Sequence, residues 1–459
     1  MSKFLDQAIV ALFLAIIVFS ALAHGAVEAW AMALSSVGIV LVLLLWILKA
    51  CWEKQWTVRL PAPVWPLLAF LVLGLWQSIT WTSQTGQRTS LSLDVEATRA
   101  AVLWLGLLLL AFVVAANVFT GRGRLSLLCT FFICFGLVLA LFALLQQATW
   151  NGRFYWWRAV DTQSITSPFG PFVHHGHYAG YLEMLLPFPI AFLIVHQLRL
   201  EKKLLYGFAA TMMVVSVIAS LARGGIFSVA VQLIFLVAMS YRMMRQHSER
   251  GTQTLSSRAR ISAVVAIITA IFMGVFWIGA EPVLNRIAQG QEHGAIQSFF
   301  NERGWIWRDT LTMFRAHPFI GVGLGAFETA FPIYSQHDGS LTVNAAHNDY
   351  LQLLAESGLA GAILLGWFML TVLRVLLPAL QSHDTRIQAL ALGGAAGMVG
   401  MLVHSCFDFN LQLPSHALLF LTLVAVVSGL EIKRTMAVTA TSPANFFDLA
   451  ERLSKRGTS

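Results

Sequence analysis

Apolar stretches near 7–23, 29–49, 62–81, 100–118, 125–146, 177–196, 204–220, 225–241, 261–280, 359–379, 387–404 and 414–430 recur along the chain, with short polar connections between most of them. Each is about 17–22 residues long, enough to cross a hydrocarbon core roughly 30 Å thick. The pattern predicts an all-α, polytopic transmembrane bundle of about twelve helices. The first stretch follows Lys3 and ends in Ala-Leu-Ala-His, which has some features of a cleavable secretion signal. It is long enough to span, however, and a second span follows at once, so we read it as a retained helix. The longest non-apolar interval, 281–358, should carry structure of its own. Within it WIWRDTLTMFR reads as a short amphipathic helix from Glu302 to Arg315. Arg303, Trp307, Leu311 and Phe314 share one face of that helix, and Trp305, Arg308, Thr312 and Arg315 another. HNDYLQLLAES predicts a second short helix from His347 that stops at Gly358. The chain thus divides into helices 1–5 (1–150), helices 6–9 with the LARGG segment (151–280), a large loop with Arg303 and His347 (281–358), helices 10–12 (359–435) and a tail (436–459).

Composition agrees with that reading and adds direction. Of the 459 residues, 57% are hydrophobic and only 11% charged, against roughly 25% charged in soluble domains. With both termini on one side, 21 of the 30 Lys and Arg residues fall in the connections on that side. Such a bias sets both termini in the cytoplasm. It also removes the nucleic-acid reading that a pI near 9.6 invites, because the charges form no continuous stripe. The nine basic residues on the other face are all arginine: Arg88, Arg99, Arg153, Arg158, Arg223, Arg286, Arg303, Arg308 and Arg315. Arginine grips phosphate in a bidentate fashion. Cys51, Cys129, Cys134 and Cys406 lack metal-ligand spacing and read as inert core thiols.

The candidate chemistry lies on that arginine-bearing face. His347, at a helix start, is either a general base for an attacking hydroxyl or a loop histidine bonded to backbone. Arg223, in LARGG, sits near the membrane surface, either gripping a lipid-linked diphosphate or snorkelling to head groups. The two glycines after it would let phosphates approach the backbone. Arg303 and Arg308 share one loop helix, so at most one of them is expected to face a given ligand, with Trp307 favouring Arg303, unless the helix simply faces solvent or head groups. His174, His175 and His177 precede an apolar helix that contains Glu183. Their spacing fits no zinc helix and no carboxylate pair completes a site, so hydrogen bonding to sugar or phosphate is preferred and no metal is expected. Glu183 is an intramembrane carboxyl, either functional or a protonated packing group. His404 and Asp408, four apart, could pair with each other, either in the site or as a structural clamp on the loop; they, with Asn348, Asp349 and Tyr350, are candidates for acceptor contact or support of His347.

Together FGPFVHHGHYAGYLEMLLP, LARGG, RGWIWRDTLTMFRAHPFIGVGLGAF, AHNDYLQLLAESGLAG and VHSCFDFNLQLP, in that order, resemble the O-antigen ligase and polymerase (Wzy-C) superfamily. The resemblance implies a metal- and cofactor-independent, inverting glycosyltransferase of GT-C-like fold in the bacterial inner membrane. It implies a donor glycan on undecaprenyl diphosphate at the periplasmic face, and an acceptor hydroxyl on lipid A-core or on a growing glycan. By motif, Arg223 and Arg303 would hold the diphosphate, with Arg308 as the competing assignment, and His347 would be the base. Ligase and polymerase of O-antigen or exopolysaccharide share this donor chemistry. A transporter or flippase also suits twelve helices, but no half-to-half repeat is present in the sequence and intramembrane charges are few.

Overall fold

A computed structural model describes residues 1–54, 57–82, 88–159, 168–195, 198–249, 295–337 and 342–440. The expected helix at 261–280, the cations Arg250, Arg258, Arg260 and Arg286, and the chain after 440 lie outside the described residues. Among those described, nine helices are long and apolar enough to cross a membrane. They are α1 (Ser2–Leu22), α2 (Ala29–Glu53), α4 (Val95–Val118), α5 (Arg122–Ala148), the pair α6 (His175–Leu185) and α7 (Pro187–Val195), α8 (Leu200–Ala219), α9 (Arg223–Glu249), α12 (Asp349–Leu380) and α13 (Thr385–His404). Two shorter apolar helices, α3 (Val64–Gln77) and the first part of α14 (Pro414–Ala440), occupy the remaining expected spans. This is a polytopic helical membrane protein.

Local chemistry explains where the boundaries moved. Helix α3 has 14 residues, about 21 Å at 1.5 Å per residue, and stops before the expected end at 81. Its last residue, Gln77, is buried and is occupied outside the helix: Nε2 donates to the carbonyls of Ile320 and Glu356, and Oε1 accepts from the Leu324 amide. The chain continues instead into an antiparallel hairpin of β1 (Thr80–Thr82) and β2 (Arg88–Ser90), Thr80 opposite Ser90. A second small hairpin pairs β3 (Arg153–Phe154) with β4 (Arg158–Ala159). Helix α4 starts before the hydropathy signal because Asp94 caps it, accepting from the Ala97 amide at 2.9 Å. The expected sixth helix is split at Pro187, which has no amide proton to continue the ladder.

The two helices expected in the long loop are present. Helix α10 (Ala295–Ala316) starts earlier than expected, and α11 (Phe327–Tyr334) follows it. The buried side of α10 is a third face, Ile306, Asp309, Thr310 and Met313. The sequence pattern hides it because Asp309 is polar. Its carboxylate accepts from the Arg308 side chain, the Ser335 hydroxyl and the Gln336 amide. The expected stop at Gly358 is a break inside one longer helix. Gly358 has φ 60° and ψ −158°, after which α12 runs on into the bundle. Gly321 likewise has φ 71°, and a Cβ there would meet Glu356 backbone at 2.2 Å, while one at Gly358 would meet Phe319 backbone at 2.4 Å. Only glycine fits either side of this backbone-to-backbone crossing.

The apolar core runs through α1, α4, α5, α6, α7, α8 and the C-terminal pair α13 and α14. Helix α13 packs against α7 and α9, and only the α6–α7 span is more deeply buried among the described spans. Its small residues permit close approach, as in membrane helices generally. At Gly397 a Cβ would come within 2.8 Å of the Met184 carbonyl oxygen. One end of the bundle is tied by ion pairs from Asp6 to Lys49 (2.6 Å) and to Arg124, and from Arg122 to Asp384 (3.4 Å). Helix α13 begins at that end and reaches His404 at the other, about 30 Å away. The cysteines depart from expectation: Cys129 alone is buried, Cys51 and Cys134 are exposed on the isolated chain, and Cys406 is intermediate.

Candidate functional site

At the His404 end, three helix N-termini meet. Each start is defined by its own sequence. His174 caps α6, its Nδ1 accepting from the Gly176 amide at 3.1 Å. Helix α9 begins at Arg223, after a turn in which Leu221 takes φ 56°. Asn348 caps α12, its Oδ1 accepting from the amides of Tyr350 (3.1 Å) and Leu351 (3.0 Å). Between these ends and the C-terminus of α13 lies a cavity of about 790 Å³. His174, His175, Arg223, Arg303, His404 and Asp408 contribute to its wall, with Trp307, Asn348 and Cys406 beside them. Helix N-termini carry partial positive charge, so three of them with two guanidiniums make an anion-attracting space, even with the first amides of α6 and α12 taken by their caps.

The arginines separate. Arg303 bonds the carbonyl of Phe407 through Nη1 and lines the cavity. Trp307, one turn on, donates Nε1–H to the Ala346 carbonyl at 3.0 Å and so fastens α10 next to His347. Arg308 is absent from the cavity wall; its side chain is 61% exposed and pairs with Asp309 at 3.1 Å. Arg223 is exposed at the mouth. The glycines after it divide their work. Gly224 lines the cavity, but a Cβ at Gly225 would overlap Ala179 at 2.4 Å, so that glycine serves helix packing and not phosphate approach.

His347 lies beside this cavity, bonded to its wall. The residue has φ 49°, and its Nδ1 is 3.3 Å from Oδ1 of Asp408. The edge-to-face ring of Phe409, 5.0 Å between centroids, supports it. The next three residues are spent on holding the 402–412 segment. Asn348 Nδ2 donates to the Cys406 carbonyl, Asp349 accepts from the Ser405 hydroxyl and Leu411 amide, and Tyr350 donates to the Leu402 carbonyl. That clamp carries Asp408 to His347. Burial pushes the Asp408 carboxyl up, but the His347 hydrogen bond and the charges of His177, His404 and Arg303 outweigh it and hold it well below the usual carboxylate range. Burial lowers His174 to about 4.

Of the two readings for His404 and Asp408, side-chain pairing is not the one observed: only the Asp408 amide reaches the His404 carbonyl, at 3.1 Å. Helix α13 ends at His404, and the turn that follows sends the two side chains apart. His404 Nδ1 instead lies 3.2 Å from both oxygens of Glu183, a pair sealed at 2% and 0% exposure. Its Nε2 faces the start of α9, where a Cβ on Gly224 would lie 2.9 Å away. The triad of histidines also gains the carboxylate the sequence reading lacked. One ligand atom each from His174, His177 and Asp408 lies within 4.8 Å of the others. Two contributors escaped the sequence reading: Phe409, whose ring touches both His347 and His177, and His416, whose Nε2 donates to the His177 carbonyl at 2.8 Å. The sequence signal for Phe409 was its place within VHSCFDFNLQLP, and for His416 its place two residues after that segment.

Bundle and cavity together define a multi-pass membrane protein with a cationic, histidine-bearing chamber at one end. A family model described as O-Antigen ligase matches residues 179–366. That match supports membership of the O-antigen ligase and polymerase superfamily, on the stretch that holds Glu183, Arg223, Arg303 and His347. It ends before His404 and Asp408. No curated protein matches the chain.

Proposed function

We propose that this chain is an inverting glycosyltransferase of the O-antigen ligase type. It moves a glycan from undecaprenyl diphosphate to a hydroxyl of lipid A-core, at the periplasmic face of the inner membrane. The observation that carries the reading is the placement of Arg223 and Arg303 on one cavity whose wall also supplies Asp408, the partner of His347. A diphosphate is a good leaving group, so the chemistry needs positioning, charge neutralisation and a base. The guanidiniums and helix N-termini receive the charge that develops on the departing lipid diphosphate, the part a divalent ion takes elsewhere. With Nδ1–H donated to Asp408, His347 keeps the Nε2 lone pair for the acceptor proton, and Asp408 stabilises the imidazolium that forms. Direct attack at the anomeric carbon inverts it without a covalent intermediate. Arg308 is left out of donor binding because it points elsewhere.

Purified protein supplied with lipid-diphosphate-linked glycan and lipid A-core, in excess chelator, should form the glycosylated acceptor. A strict metal requirement overturns the scheme. Full turnover by His347→Ala removes the base. Joining of repeat units on the lipid carrier in place of transfer to lipid A-core would make the chain a polymerase using the same site.

A further inference from the structure

We propose that His174, His177 and Asp408 form a binding site for a transition-metal dication of the zinc class, and that its occupancy suppresses glycan transfer. The suppressive part rests on the transferase reading; the binding part does not.

The site is drawn together by a glycine. A Cβ placed on Gly176 would lie 2.7 Å from Asp408 Oδ2 and 3.0 Å from His174 Nδ1. A carboxylate oxygen and a ring nitrogen therefore close on the same side of Gly176, an approach that a side chain there would block. His174 Nδ1 already acts as an acceptor there, taking the Gly176 amide at 3.1 Å, so its lone pair is turned inward and a cation can replace that weak donor. The second observation is independent of the first. His177 Nε2 is buried and has no hydrogen-bond partner. A buried polar atom left unpaired costs free energy unless something satisfies it. The ligand atoms lie within 4.8 Å of one another. Zinc–nitrogen bonds of about 2.0–2.1 Å ask for donors roughly 3.4 Å apart, so the widest pair must close by roughly 1.4 Å, a rotation of side chains. Two imidazoles and one carboxylate suit zinc, cobalt or nickel better than calcium or magnesium. His174 and Asp408 also line the cavity, which supplies the entry path and a fourth, exchangeable position.

The consequence follows from the shared carboxylate. Asp408 Oδ1 holds His347 while Oδ2 lies against Gly176 on the His174 side. A dication on Oδ2 draws off the negative charge that stabilises the imidazolium forming on His347 during proton transfer. The ion acts as a brake and not as a cofactor.

The test uses the tag-free full chain in detergent, stripped with chelator and titrated with cobalt(II) and then zinc(II). One equivalent of cobalt should bind with the visible absorption of a nitrogen-ligated, low-coordinate ion, and zinc should displace it. His177→Ala should abolish the absorption. Gly176→Ala, which removes no ligand but pushes Asp408 and His174 apart, should weaken binding at least tenfold. The exposed His383→Ala should leave binding unchanged. Saturating zinc should slow transfer at least tenfold, with recovery on chelation. Absence of saturable binding, or equal binding by His177→Ala and Gly176→Ala with melting curves like the parent, overturns the site. Binding without slowing overturns the brake alone. Binding by protein that transfers no glycan leaves the site standing and counts against the transferase reading instead.

Discussion

Two histidine–carboxylate pairs lie at the same end of the bundle, and they differ in access. His347 and Asp408 are 30% and 5% exposed at the cavity, while His404 and Glu183 are 2% and 0% exposed inside the helices. The open pair keeps one imidazole nitrogen for a ligand and sits on a loop held by the Asn348–Tyr350 clamp. The sealed pair joins α6 to α13 across 221 residues and backs onto the first turn of α9. The same chemistry thus serves two ends. One pair is open to the cavity; the other, almost sealed, ties α6 to α13 where α9 begins.

The comparison is broken most forcefully at the open pair. His347→Gln should lower kcat by roughly 10²–10⁴-fold, the usual worth of general-base help, with a melting temperature near the parent's. A comparable loss of stability would show that His347 is a structural residue. The sealed pair should give the converse. Glu183→Ala leaves a buried imidazole uncompensated, which typically costs about 3–5 kcal/mol; denaturation of the purified variant measures it. Wild-type stability with reduced turnover would move Glu183 into the chemistry.

The arginines sharpen the contrast at smaller scale. Loss of one charge-assisted contact to a diphosphate is worth about 1.5–3 kcal/mol, so Arg303→Ala should cost about 10- to 100-fold in kcat/KM for the donor. Arg308→Ala should leave that ratio unchanged and cost at most about 1 kcal/mol of stability, as exposed ion pairs do. The smallest effect concerns pH. The Asp408 carboxyl is held below its usual range by His347 and the nearby charges. It therefore contributes stability that is complete above the unfolded value of about 4 and is lost as pH falls toward the folded value. Melting curves should show this acid sensitivity in the parent and less of it in Asp408→Asn.

The hydropathy pattern made the bundle legible because membrane spanning is a property of local composition. The convergence of Arg223, Arg303 and the His347 segment was legible too, through alternate connections that place them on one face. Long-range pairing was not. Spacing four apart favoured His404 with Asp408, but the helix that would align them ends at His404, and the true partner of His404 is Glu183 in another helix. Nor does a pattern reader expect Asp309 to be buried, since Ser335 and Gln336 pay its desolvation from beyond α10. Nothing local to HPFIGVGLG shows that Gly321 is dictated by backbone at Glu356. Likewise Gly176 looks incidental until Asp408 arrives beside it.

The account depends on where a lipid diphosphate binds. A cryo-electron-microscopy structure of the full chain with undecaprenyl diphosphate addresses this directly. The pyrophosphate should lie in the His404-end cavity, with oxygens about 2.7–3.2 Å from both Arg223 and Arg303 and its sugar-bearing end toward His347. A pyrophosphate bound at the opposite end, beside Arg122, Lys202 and Arg386, would contradict it.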